Sequence, residues 1–451
     1  MSSVKITPAG GMSEVGARNG LIVQCGDEAV VVDWGQKVPL WTSEEVSKVD
    51  DGSTRPLGDE YYPNIDLLDG VRVRALCITH GHMDHSEGWH KIYERWPQAP
   101  IMTDPFTEQV MYMRARKASR AEFPPFRSFV YSQEIELGPF KIKRFPVHHS
   151  IFGSSGFLIE VGGKRIVHPG DFKMWPVGDG PDQNAEVFGA LLRQGKIGAL
   201  LMDSTNAGEE GFVISEERVQ SELAHIFEKE LGRIFCTTIS SNATRLTAIL
   251  DGGSRLGRPV YVGGRSMQDF LRLCGDEEWR SLSKRFDSSE GGAGRYLYPD
   301  SSAWGRDAVI CVTGSQAEPG SFLDNLANGE FSLAPRQGDV LVITQDPIPT
   351  PEILGRWIAM VEELSRRFEK IYVTEDAPPI VSFGAEIIRD PNLHSSGHAK
   401  EEDMKRMWEL LRPEFVIPCH ADRAKREIVS NLVEGWGGET ELLEDGATLE
   451  L

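Results

Sequence analysis

Residues 73–85 read Val73-Arg74-Ala75-Leu76-Cys77-Ile78-Thr79-His80-Gly81-His82-Met83-Asp84-His85. An apolar run of strand character ends in a loop where four potential metal ligands fall within six positions. A backbone leaving a strand can turn alternate side chains toward one point, so His80 and His82 can share an ion. Asp84 and His85, on the turn that follows, can reach a second. Imidazole with carboxylate suits Zn²⁺ and its first-row neighbours. Three of the chain's 11 histidines sit in this one loop, a concentration that a merely polar loop does not explain.

Outward from that loop, two segments offer further ligands. In Val147-His148-His149-Ser150-Ile151 the alternation of a strand lets only one of the two histidines face a given side. Val167-His168-Pro169-Gly170-Asp171 ends another strand and places Asp171 where the chain turns out of the sheet. A carboxylate there can bridge two cations, as hydrolysis by a metal pair requires.

Bulk properties bound the rest. A chain of 451 residues exceeds one ordinary core, so two domains are expected. A hydrophobic content of 40% with 26% charged residues is that of a soluble globular protein. No charged leader with an apolar stretch opens the sequence, and no run approaches the roughly 18 apolar residues that span a bilayer. Six cysteines (25, 77, 236, 274, 311, 419) lie scattered without a Cys-x-x-Cys pair. That pattern predicts reduced thiols and a cytoplasmic location. The formal net charge of −20 argues against a surface that coats nucleic acid, while leaving room for a local basic groove. The most basic stretch is a helix expected over 106–121, with Arg114, Arg116, Lys117 and Arg120. It reads equally well as a solvated face or as a substrate contact.

Short β-rich runs between Gly and Asp, such as Ala29-Val30-Val31-Val32-Asp33-Trp34-Gly35, predict a hairpin-built sheet at the start. After Thr205 the pattern changes to strands alternating with capped helices. Ser215 caps an apolar stripe of Val219, Leu223, Phe227 and Leu231, and Thr350-Pro351 opens a helix with Leu354, Trp357, Ile358, Val361 and Leu364 inward. Histidine chemistry returns only at 394, 398 and 420. One domain inserted into another accounts for this, with expected boundaries 1–207, 208–375 and 376–451.

In order and spacing, His80-x-His82-x-Asp84-His85, His149 and Asp171 resemble the motifs of the metallo-β-lactamase superfamily. Gly170-Asp171-Phe172-Lys173, Asp203-Ser204-Thr205-Asn206, Gly264-Arg265-Ser266-Met267, Gly314-Ser315-Gln316-Ala317-Glu318-Pro319, His394-Ser395-Ser396-Gly397-His398 and Cys419-His420 narrow the resemblance to the β-CASP nucleases, within them the ribonuclease J group. It implies an α/β fold, a metallo-β-lactamase αββα sandwich carrying an inserted α/β β-CASP domain. By the same resemblance His80, His82 and His149 would hold one zinc, and Asp84, His85 and His420 another, with Asp171 bridging. Manganese or magnesium are the alternatives. His398 would protonate the leaving group, oriented by Asp203, and Asp84 counts with these two as catalytic. Ser241, Asn242, Arg245, Arg265, Ser266, His394 and Ser396 lie in motifs that border the substrate cleft, some forming a pocket for a 5′-terminal phosphate.

The expected substrate is single-stranded RNA, with DNA open and no membrane partner. A β-CASP-type DNA nuclease and a small-molecule hydrolase (thioesterase or lactonase) are the competing readings. Two departures from the group stand out. The last ligand sits in Pro418-Cys419-His420-Ala421-Asp422, where Pro-Val-His-Gly-Glu is usual, and Ser395 replaces an apolar residue. With about 30 residues after His420, the domain that helps the group dimerise is expected to be missing, which leaves a homodimer open.

Overall fold

In the computed structural model, described over residues 3–14, 16, 18–37, 57–117, 126–128, 131, 133–176, 181–193, 195–273, 294–296, 305–330, 335–348 and 350–451, the opening runs do form a meander. Strands β1 (Val4–Gly10), β2 (Gly20–Cys25) and β3 (Glu28–Val32) pair antiparallel. The sheet continues in parallel through β4 (Arg72–Cys77), β5 (Ile101–Thr103) and β6 (Phe126–Ser128). A second sheet holds β7 (Glu134–Leu137), β8 (Phe140–Pro146), β9 (Ser155–Val161) and β10 (Lys164–His168) in antiparallel pairs. It then takes β11 (Ala199–Asp203) and, from far along the chain, β19 (Phe415–Cys419) as parallel neighbours. Strand β20 (Leu449–Glu450) lies beside β1 on the first sheet.

Alternating apolar residues of the two sheets share one core, among them Ile6, Val23 and Val30 against Phe157, Ile159, Leu201 and Ile417. Each such burial contributes roughly 1.5–3 kcal/mol relative to exposure. The outer face of the first sheet is covered by Trp89, Ile92 and Met111 from helices Trp89–Arg95 and Pro105–Lys117. Phe188, Met404, Met407, Leu411, Val429 and Val433 cover that of the second, from helices Gln183–Leu192, Glu401–Leu411 and Arg423–Gly435. The layers are helix, sheet, sheet, helix, as expected. The basic helix ends its described course at Lys117, and Arg120 lies outside the described residues.

A separate compact unit spans 214–395. Its sheet is parallel throughout, in the order β14 (Gly294–Tyr296), β13 (Val260–Gly263), β15 (Val309–Val312), β12 (Ile234–Thr237), β16 (Val340–Ile343), β17 (Lys370–Thr374), β18 (Glu386–Asp390). Strands buried on both faces read as unbroken apolar runs, which is why Val309-Ile310-Cys311-Val312 and Val340-Leu341-Val342-Ile343 show no alternation. Ser215 caps helix Glu216–Lys229, and Val219, Leu223 and Phe227 are buried. Leu231, expected in the same stripe, is 87% exposed because the helix has already ended. Thr350 caps helix Pro351–Leu364 with Trp357, Val361 and Leu364 inward; Leu354 and Ile358 are half-buried, and Ile353 and Met360 are buried instead.

The remaining described residues, through Val213 and again from Ser396, form the first unit. Segment 376–395, expected to rejoin that unit, stays with the second. Its strand β18 pairs along the whole of β17, and Ser395 Oγ donates to the Ile214 carbonyl at 2.7 Å. Among the described residues no helix is long and apolar enough to cross a membrane.

Candidate metal centre

The loop at 79–85 is strapped rather than loose. Asp33, at the end of β3 with φ 58°, accepts from Thr79 N at 2.7 Å and Thr79 Oγ1 at 2.9 Å, and its Oδ2 lies 2.8 Å from His85 Nδ1. Beyond it Trp34 N donates to the His85 carbonyl, and Gln36 N to that of Met83. The backbones come so close that a Cβ on Gly35 would stand 1.6 Å from the Asp84 carbonyl oxygen, so only glycine fits there. Arg114, one of the basic-helix residues, donates to the Gly81 carbonyl at 2.8 Å and clasps the same loop.

Each of His80, His82, His149 and Asp171 brings a ligand-type atom within 4.8 Å of the others, and so do Asp84, His85 and His420. In the first set His82 Nδ1 lies 3.0 Å from His80 Nε2 and 3.2 Å from His149 Nε2. In the second, His420 Nε2 lies 3.2 Å from His85 Nε2 and 3.1 Å from Asp84 Oδ2. Asp171 reaches into both: its carboxylate oxygens are 3.6 Å from His80, 3.8 Å from His149, 3.2 Å from His85 and 3.6 Å from His420.

The outward ring nitrogens are held as well, which fixes ring orientation. His80 Nδ1 lies 3.0 Å from Thr79 Oγ1, and His149 Nδ1 2.6 Å from the Gly397 carbonyl oxygen. A Cβ on Gly397 would sit 2.6 Å from His149 Cε1, so that approach also needs glycine. His420 adopts φ 62°, a left-handed conformation that costs a non-glycine residue about 1–3 kcal/mol. It is pinned by donation from its N–H to the Gly11 carbonyl at 2.9 Å and by Thr205 Oγ1, 2.8 Å from its Nδ1.

Charge divides the two sets. Burial, with neighbouring imidazoles adding to it, lowers His80 and His149 well below the usual histidine range, and burial takes His82 to about 4. Burial opposes protonation of His85 too, yet Asp171, Asp84 and Asp33 raise it well above the ordinary value. His420 is likewise pushed up to about 9 against burial, by Asp171, Asp84 and Asp203. Asp171 resists burial and stays well below the carboxylate range because His420, His85 and His398 face it. Three neutral imidazoles aiming lone pairs at one point repel one another unless a cation sits among them. In the second set, protons supply the positive charge that the carboxylates demand. Nitrogen and carboxylate donors so arranged suit a divalent metal.

Beside the ligands, His398 Nδ1 lies 2.8 Å from Asp203 Oδ2, the terminal residue of β11. Burial works against its protonation, and the Asp203 and Asp171 carboxylates outweigh it, raising its pKa. Asp203, His398, Asp171 and His420 could also be grouped around one ion. Asp203, however, already accepts from Thr205 N and Oγ1 on its other oxygen, so His398 and Asp203 form a hydrogen-bonded pair. Asn206 Nδ2 donates to Ser396 Oγ at 2.9 Å and to the His398 carbonyl at 2.8 Å, and His398 N donates to Ser396 Oγ at 3.1 Å. Ser396 thus shapes the loop that carries His398.

Most of the expected substrate residues lie in the second unit. Ser241 is buried, and Asn242 caps helix Ala243–Arg255 by accepting from Arg245 N. Arg245 corrects the sequence reading. It is wholly buried, and its guanidinium donates to Glu216, to the Thr344 carbonyl at 2.7 Å and to the Leu393 carbonyl at 3.1 Å. It braces the unit and has no face to offer a phosphate. His394 Nδ1 lies 3.3 Å from the Thr344 carbonyl, with Asp346 3.8 Å from its Nε2. Ser266 is exposed, and Arg265 opens helix Arg265–Leu273.

The residues that sequence reasoning passed over are Asp33, Thr205 and Asn206. Asp33 ends a Val-Val-Val run before Trp-Gly, and an acid at a strand end was the available signal.

Two family models match the chain: "Beta-lactamase superfamily domain" over residues 59–209 and "Ribonuclease J, beta-CASP domain" over 231–354. Ribonuclease J of Thermus thermophilus is 28% identical over 432 residues, 93% of this chain and 68% of that protein. Ribonuclease J of Pyrococcus abyssi is 27% identical, over 94% of this chain and 90% of its own length. A crystal structure of a protein of unknown function from Enterococcus faecalis shares the fold at TM-score 0.64 and 18% identity, covering all of both chains. With a β-lactamase-superfamily match followed by a ribonuclease J β-CASP match, and relatives that align along most of its length, the chain carries a metallo-β-lactamase domain and a β-CASP domain and is similar to ribonuclease J along most of its length.

Proposed function

We propose that the chain hydrolyses phosphodiester bonds of single-stranded RNA, from the 5′ end, internally or both, with two divalent cations at the centre described above. It is a metallo-β-lactamase-fold ribonuclease, a hydrolase like its ribonuclease J relatives. The observation that carries the two-cation reading is the position of Asp171, with carboxylate oxygens 3.2–3.8 Å from histidines of both sets. We take zinc as the native metal, with manganese or magnesium as alternatives.

Bound cations would supply Lewis acidity, lowering the pKa of a water toward neutrality and offsetting charge that builds on the phosphoryl oxygens. The chain's own residues do the remaining work. His80, His82 and His149 would hold one cation and Asp84, His85 and His420 the other, with Asp171 within reach of both. Asp203 grips His398 through Nδ1, which leaves the other ring nitrogen to deliver a proton to the departing oxygen. Asn206 and Ser396 keep that ring at its station. Ser241, Asn242, Arg265, Ser266 and His394 remain the candidates for contacting the RNA backbone. The free thiols of Cys25, Cys77, Cys236, Cys311 and Cys419 fit a reducing cytoplasm.

The test offers matched RNA and DNA strands bearing 5′-monophosphate, triphosphate or hydroxyl, and sizes the products over time. Mononucleotides released from monophosphorylated RNA are expected for a 5′ exonuclease, and internal fragments for an endonuclease. Cleavage of DNA alone transfers the reading to a DNA nuclease. No cleavage of any strand by zinc- or manganese-loaded protein sinks it.

A further inference from the structure

Thr205 stands two residues beyond the end of β11, and its hydroxyl meets two groups that serve different purposes. Oγ1 lies 2.7 Å from Asp203 Oδ1, 2.8 Å from His420 Nδ1 and 3.4 Å from the His420 carbonyl oxygen. A hydroxyl has one proton to give, and a carboxylate at neutral pH can only accept. The proton therefore goes to Asp203, the nearer acceptor, and the hydroxyl oxygen is left to receive the Nδ1–H of His420. With a cation bound in place of the Nε2 proton, His420 would thereby be fixed in one tautomer, Nδ1–H toward Thr205 and the Nε2 lone pair toward the cation held with Asp84 and His85. The other Asp203 oxygen meanwhile holds His398 at 2.8 Å. A turn that merely closes a strand end accounts for the bond from Thr205 N to Asp203, but not for the hydroxyl's contact with His420. Lys425 Nζ donates to the Thr205 carbonyl and steadies the backbone from below.

We propose that Thr205 is a positioning residue that joins the proton-donating pair to the second set of metal ligands, so that His398 and His420 are oriented by one hydrogen-bonded chain. The inference rests on the two-cation reading.

Its test replaces the hydroxyl at nearly constant shape. In Thr205→Val, chelator competition should show one of two zinc-binding constants weakened 10- to 100-fold and the other within about twofold, the range seen when a ligand's outer partner is lost. With RNA, kcat should fall while KM holds. Thr205→Ser keeps the hydroxyl and should restore both readouts. Unchanged zinc affinity in Thr205→Val, or a Thr205→Ser variant as impaired as Thr205→Val, overturns the inference. A measurement on the zinc-loaded wild-type protein stands beside the variants and decides if Thr205→Val does not fold. The ¹⁵N resonances of His420 should report a proton on Nδ1, and a proton on Nε2 overturns the inference. Wild-type protein that takes up no zinc sinks the two-cation reading itself, an outcome distinct from both.

Discussion

The two candidate ligand sets share the loop after β4 and draw their remaining members from different strands, His149 after β8 and His420 after β19, yet they are built on opposite electrostatic plans. His80, His82 and His149 are imidazoles kept neutral by burial, with outward partners that are a hydroxyl and a carbonyl. His85 and His420 face Asp84 and Asp171, and behind them stand Asp33 and the Asp203–Thr205 pair. The first set is ready to accept a cation as it stands. The second must give up protons to do so. The difference teaches that one short motif, His-x-His-x-Asp-His, feeds two clusters of opposite charge character, with Asp171 within reach of both.

The strongest way to break the comparison is to remove that shared group. Asp171→Asn keeps the shape and deletes the charge, and should weaken both cations by more than about 100-fold, beyond the loss of an outer partner. His420→Ala should release one cation and spare the other. Metal content by mass spectrometry decides, and a matched loss in both variants would dissolve the distinction between sets.

A smaller effect is expected where no ligand is touched. His398→Ala should lower kcat by about 10²–10⁴, the span of a general acid, with both metals retained. Loss of a metal ion in that variant would make His398 a ligand instead.

The gentlest probe is pH. The proton on His420 leaves only near 9, and His85 holds its own above the usual range, so cation uptake by the second set must displace both. Its affinity should climb between about pH 6 and 8, by up to about tenfold per unit for each proton displaced. The first set, with His82 near 4, is already deprotonated over that range and its affinity should stay within about threefold. Calorimetric titration at several pH values tests this, and parallel slopes would count against the opposite-charge plan.

Much of this centre was legible in the chain, because ligands cluster where strands end and each motif is contiguous. His80, His82, Asp84, His85, His149, Asp171 and His420 come together as their spacing and family resemblance implied. What stayed hidden depends on contacts between distant segments. Asp33 matters through Thr79 and His85, about 50 residues away, and Thr205 through His420, 215 residues on. Arg245 misled for the same reason. A guanidinium in a motif looks like a phosphate ligand until Glu216, 29 residues earlier, is seen to hold it. The late boundary of the inserted unit was equally invisible, since nothing in residues 376–395 shows that β18 joins an otherwise well-formed sheet.

The bond from His420 N to the Gly11 carbonyl, with the Gly397 carbonyl set against His149, has a bearing on how the enzyme is made. A growing chain on the ribosome holds His80 and His82 long before it holds residue 397 or 420. Until those late segments emerge, neither His149 nor the second set has its finishing partner, and His398 has not yet met Asp203. A chain assembled in that order holds only part of the candidate centre until residues 397–420 have been made, so closing the cluster is a late step of its folding.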